Sequence, residues 1–150
     1  MPSRVLPFTP AAAKRAPERP PVRVLIVDDD EAMRQFVETV LRGAGYETAL
    51  GADGEDAIRL AGQSASFDLL VTDEMMPRMA GHQLARYMRR RYRGIKVLYL
   101  SAFREELFKE KGSLWDDEAF LDKPCTPEML LDAVSRLLFG ALVDRSPDQR

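Results

Sequence analysis

The chain has 150 residues, 45% of them hydrophobic, with a formal net charge of −2 and a pI near 5.5. That length suits one ordinary domain with a real core, and the acidic balance argues against a global nucleic-acid surface, for which a basic domain would be expected. A single cysteine, Cys125, excludes an intrachain disulfide and a cysteine-rich zinc site and suits a reducing compartment; with no apolar run near the ~18 residues of a membrane span, a cytoplasmic location is expected.

Residues 1–21 hold most of the ten prolines together with Arg4, Lys14, Arg15, Glu18 and Arg19. They read as a disordered, solvated arm, and Pro7 interrupts the one apolar piece, Val5 to Phe8, that could have served a signal peptide. Val22 to Val27 is an apolar run that stops at Asp28, Asp29 and Asp30, a first strand. Met33, Phe36, Val37, Val40 and Leu41 then recur at helical spacing until Gly43 and Gly45 close the helix. Tyr46 to Leu50 reads as a second strand, followed by a helix from Asp53 or Gly54 through Ala57, Ile58 and Ala61. The stretch Phe67 to Gly81, FDLLVTDEMMPRMAG, is a third strand that ends at Thr72 and Asp73, before Pro77 and Gly81 turn the chain. Leu84, Tyr87 and Met88 mark a third helix ending in Arg89, Arg90, Arg91 and Arg93. Lys96 to Leu100 is a fourth strand ending at Ser101. Leu107 and Phe108 suggest one short helix before a fifth strand, Ala119 to Leu121, which runs into Asp122, Lys123 and Pro124. Thr126 as N-cap and Pro127 at the first helical position open a last helix with Leu130, Val134, Leu137 and Leu138 on one stripe. A polar tail, 141–150, closes the chain, and no DNA-binding segment is expected.

Strands alternating with helices predict an α/β domain over 22–140: a doubly wound, five-stranded parallel sheet of order 2-1-3-4-5 with helices on both faces. In such a sheet Asp28 and Asp29, Asp73, Ser101 and Lys123 all follow strands and so lie on one edge. Carboxylates gathered there repel one another, and a divalent cation relieves this. Hard oxygen ligands with room for water suit Mg²⁺, with Mn²⁺ as an alternative. Three carboxylates, one lysine and one Mg²⁺ sum to about zero charge, which lets the site accept a phosphoryl group. A carboxylate can be the nucleophile toward phosphorus, with Ser101 and Lys123 each meeting a phosphoryl oxygen.

VLIVDDDEAMR, LLVTDEMMPRMAG, VLYLSA and FLDKP together resemble the receiver domain of two-component response regulators, over about residues 22–140. The resemblance implies the flavodoxin-like receiver fold, with Asp73 as phosphoacceptor. It implies Asp29 as a direct Mg²⁺ ligand, Asp28 acting largely through water, and the Met75 carbonyl completing the protein ligands. Ser101 and Lys123 would sense the phosphoryl group, and Phe120 falls at the aromatic switch position. The implied partners are a histidine kinase or histidine phosphotransfer protein as donor and a downstream protein target. A second copy of the chain could meet the face of helix 4, strand 5 and helix 5. The protein would then be a single-domain response regulator, catalysing only its own phosphoryl uptake and slow autodephosphorylation. Ala80 stands where the family often has an acid before the loop glycine. Phe103 to Glu118 and LDKPCTPEMLLDAV are more similar to receivers attached to hybrid sensor kinases than to chemotaxis-type members.

Blander readings stand beside these. Asp28 to Asp30 could be a solvated acidic turn capping a helix, a role that falls to Asp30 or Glu31. His82 reads as an exposed polar residue, the arginines from Arg86 to Arg93 as a solvated helix end, Cys125 as packing, and Phe120 as core before switch. Two other functions compete: a phosphorylation-independent adaptor with a vestigial site, and a haloacid-dehalogenase-type phosphohydrolase. The latter needs a second aspartate two residues after the first, where this chain has Met75. Met75 and Phe103, large and apolar beside Asp73 and Ser101, are expected to shield an acyl phosphate from water and slow its loss.

Overall fold

A computed structural model describes residues 20–140; the expected arm, apart from Pro20 and Pro21, and the expected tail 141–150 lie outside the described residues. Five strands, β1 (Arg23–Val27), β2 (Glu47–Gly51), β3 (Leu69–Thr72), β4 (Lys96–Ser101) and β5 (Glu118–Asp122), alternate with five helices. The helices are α1 (Glu31–Gly43), α2 (Gly54–Ala61), α3 (Gly81–Arg91), α4 (Arg104–Lys111) and α5 (Pro127–Phe139). All pairings are parallel and the strand order is β2-β1-β3-β4-β5, as the alternation of patterns predicts.

Strand side chains alternate between two cores. Leu25, Val27, Leu70, Val97 and Tyr99 face Ala57 and Ala61 of α2, Leu84, Ala85 and Met88 of α3 and Leu107 of α4. Val24, Ile26, Leu69, Val71, Leu98 and Leu100 face Val37 and Leu41 of α1 and Leu130 and Val134 of α5. With both faces covered, the central strands are apolar throughout, which is why they read as continuous runs.

Local chemistry sets the helix starts. Asp30 Oδ1 accepts from the Ala32 and Met33 amides, Asp53 Oδ1 from Asp56 N, and Thr126 Oγ1 from Met129 N, each satisfying a free N–H of a first turn. α4 has no such cap: its N-cap position is Phe103, and Leu107 is its only fully buried side chain. No helix among the described residues is long and apolar enough to cross a membrane.

Two expectations about side chains change. His82, expected to be exposed, is mostly buried and its Nδ1 lies 2.6 Å from Glu74 Oε2. The basic end of α3 is not a uniformly solvated one. Arg89 pairs with the buried Glu118 and stacks over Trp115 at 4.4 Å, and Arg91 donates to the Ala61 carbonyl at 2.9 Å. Cys125 packs against the second core, and burial pushes its thiol pKa up, consistent with the packing role.

Candidate functional site

Register brings the acids together. Val27 of β1 is paired with Thr72 of β3, and the ladder continues one bond past each strand, from Asp73 N to the Val27 carbonyl at 3.1 Å and from Asp28 N to the Gly51 carbonyl at 3.2 Å. Asp28 and Asp73 therefore emerge side by side at the carboxyl ends of neighbouring central strands. This is where the strand order reverses, the position at which open α/β sheets hold ligands. On the other side of β3, Ser101 ends β4 in register with Asp122, and Lys123 N bonds the Ser101 carbonyl at 3.0 Å.

Carboxylate oxygens of Asp28, Asp29 and Asp73 lie within 4.8 Å of one another; Asp28 and Asp73 are buried and Asp29 is exposed. A hard, all-oxygen donor set with one solvent-facing member fits Mg²⁺, which dehydrates reluctantly and keeps several waters. The Asp28 carboxylate is further held by the Asp30 amide at 2.9 Å, while the Asp28 carbonyl accepts from Arg34 at 2.7 Å. Asp73 Oδ1 accepts from the amides of Glu74 at 2.6 Å and Met75 at 3.3 Å, leaving Oδ2 for the cleft.

Lys123 Nζ bridges the pair, 2.8 Å from Asp28 Oδ2 and 2.9 Å from Asp73 Oδ2. Burial pushes the Asp28 carboxyl above its ordinary value, and the bonds from Lys123 and the Asp30 amide only partly offset this. Burial alone would push the Lys123 ammonium down. Its hydrogen bonds to Asp28 and Asp73 and their charges outweigh this, so its pKa is raised and it stays charged at neutral pH.

Ser101 is fully buried, and its Oγ accepts from Phe103 N at 3.0 Å. The structure thus places it at the same edge, with its hydroxyl bonded to its own loop rather than to Asp73. Phe120 is half-buried: the Arg104 guanidinium lies over its ring at 4.4 Å and Phe108 packs against it at 5.8 Å. Arg104 in turn makes two bonds to Asp122, at 3.2 and 2.9 Å. Met75 and Phe103 are 45% and 42% exposed, two apolar side chains on loops that leave Asp73 and Ser101.

The turn after Asp73 is held by close packing. Gly81 N donates to the Glu74 carbonyl at 2.9 Å, and a Cβ on Gly81 would collide with the Asp73 carbonyl oxygen, so only glycine fits there. Arg78 takes a positive φ of 69° in this turn and pairs with Asp53 at 2.6 Å. Sequence reasoning missed Glu74, which is 2% exposed; its one signal was an acid directly after a buried strand's terminal aspartate.

A model of the response regulator receiver domain matches residues 24–135. The curated "Response regulator MprA" of Mycobacterium sp. (strain KMS) is 34% identical over 85% of this chain and 55% of its own length; the chain spans about half the length of the first curated relatives it matches. Among solved structures, the chemotaxis protein CheY4 of Vibrio cholerae is 33% identical with a TM-score of 0.67, over 79% of this chain and 100% of that one. The response regulator TrrA of Thermotoga maritima, solved in complex with Mg²⁺-BeF, is 26% identical with a TM-score of 0.68, over 78% and 99% of the two chains.

Proposed function

The chain belongs to the response regulator receiver family of two-component signal transduction, and on that premise we propose that it takes a phosphoryl group from a phosphohistidine donor onto Asp73. The domain is then residues 22–140. One observation carries the reading: Lys123 holds Asp28 and Asp73 together at the edge of adjacent central strands, with Asp29 beside them. Asp28, Asp29, Asp73 and the Met75 carbonyl would hold Mg²⁺, which supplies charge neutralisation for the incoming phosphoryl group.

The residues of the chain account for the rest. The Glu74 and Met75 amides occupy Asp73 Oδ1, so Oδ2, which faces the cleft and meets Lys123, is the nucleophile. Oδ2 attacks phosphorus, the P–N bond to the donor imidazole breaks, and the imidazole leaves with the electron pair. Lys123, already 2.9 Å from Oδ2, moves its charge from carboxylate to phosphoryl oxygen. Ser101 gives up the Phe103 amide and donates its hydroxyl to another phosphoryl oxygen. Phe120 then leaves Arg104 and turns inward, changing the face of α4, β5 and α5. Output is phosphorylation-dependent binding of a protein target or a second copy through that face.

Labelling with radioactive acetyl phosphate and Mg²⁺ tests the chemistry. An acyl phosphate is released by hydroxylamine; label that resists hydroxylamine contradicts the reading.

A further inference from the structure

Glu74 is an acid 2% exposed to solvent, one residue past Asp73. A buried carboxylate is costly unless paired, and both of its oxygens are met by one residue: His82 N donates to Oε1 at 2.9 Å, and His82 Nδ1 lies 2.6 Å from Oε2. Its main chain is equally bound. Glu74 N donates to Asp73 Oδ1 at 2.6 Å, and its carbonyl accepts from Gly81 N at 2.9 Å. The first turn of α3 therefore grips Glu74 by side chain and backbone, and Glu74 grips the Asp73 carboxylate.

We propose that Glu74, held by His82, is a positioning residue for the Asp73 site, fixing the peptide that orients Asp73 Oδ1 and leads to the Met75 carbonyl. The inference rests on the reading of Asp28, Asp29 and Asp73 as a Mg²⁺ site. Glu74 touches neither metal nor phosphoryl group; it acts through the two peptides that flank it. Releasing the Glu74 side chain from α3 lets those peptides rotate, and the carboxylate loses its single orientation.

The test is calorimetric titration of Mg²⁺ into the full chain, with a thermal midpoint for each variant. Glu74→Ala weakens Mg²⁺ binding by about tenfold, the low end of what loss of an outer-shell partner does. Glu74→Gln, which keeps an acceptor for His82 N and can meet the ring nitrogen in its other tautomer, stays close to wild type. Val134→Ala, a core change on the opposite sheet face, lowers the thermal midpoint and leaves affinity unchanged. His82→Ala, which keeps its backbone bond, shows a smaller loss and serves if Glu74→Ala fails to fold. Wild-type affinity in both Glu74→Ala and His82→Ala overturns the proposal. So does an equal loss in Glu74→Gln and Glu74→Ala, which reduces Glu74 to a charge, or an affinity loss in Val134→Ala that tracks stability. Absence of Mg²⁺ binding by wild type overturns the underlying site reading and this inference with it.

Discussion

Lys123 balances the charge at the centre of the site. Without it, Asp28 and Asp73 would lie buried against each other with no counter-ion, and removing one partner of a buried pair costs about 3 kcal/mol or more. Lys123→Met should therefore lower stability in chelator by that amount, and added Mg²⁺ should recover much of it, because a cation that binds only the folded state stabilises it. Thermal denaturation with and without Mg²⁺ measures both; a variant whose deficit is indifferent to Mg²⁺ would contradict a shared carboxylate site. At the rim, Met75→Asn and Phe103→Asn should each shorten the lifetime of the acyl phosphate severalfold, followed by loss of label after removal of donor. Equal lifetimes in both variants and wild type would remove these side chains from that role. Asp28, Asp73 and Lys123, which meet at the cleft, were legible in the sequence because each directly follows an apolar strand. Glu74 and His82 were not, since their pairing depends on a turn that brings positions eight residues apart together.

α4 is the element that sequence periodicity described least, and its packing explains why. It has no side-chain N-cap and buries only Leu107 fully, so no apolar stripe or cap marks it. Ionic clips hold its two ends instead. Arg104 joins its first turn to Asp122, and Lys111 joins its last turn to Glu118 at 2.9 Å, where Arg89, the Trp115 amide and Tyr99 also meet the same carboxylate. Burial alone would raise the Glu118 pKa, but the Trp115 and Lys111 bonds and the charges of Arg89 and Lys111 outweigh it and hold the carboxyl below its usual 4.5. A depressed folded-state value stabilises the fold above the unfolded value, and this contribution is lost as pH falls through the folded one. Glu118→Gln should therefore be less stable than wild type at neutral pH and show a shallower loss of stability below about pH 4.5, measured by urea denaturation across that window. Parallel curves would contradict the clip. At the other end, Arg104→Ala removes the cation from Phe120 and should increase the inward population of that ring in the unphosphorylated protein, read by NMR of the Phe120 side chain. An unchanged population would mean that Arg104 does not oppose the swing.

Over the whole molecule, the alternation of continuous apolar runs with helical stripes left a few common doubly wound orders once crossovers are right-handed, and the one favoured among them, 2-1-3-4-5, is the order observed. Strand ends shifted by a residue, as at β2, where Gly51 completes the pairing with Val27. The basic end of α3 misled for a physical reason: helix-terminal arginines are usually solvated, yet here Arg89 and Arg91 reach across to β5 and α2. What the fold delivers is one carboxylate, Asp73, fixed by amides on one oxygen and by Lys123 on the other. Intact-mass measurement after incubation with acetyl phosphate and Mg²⁺ tests that claim most directly. Wild type should gain the mass of one phosphoryl group and Asp73→Asn should gain none, whereas no gain in wild type, or the same gain in both, would contradict it.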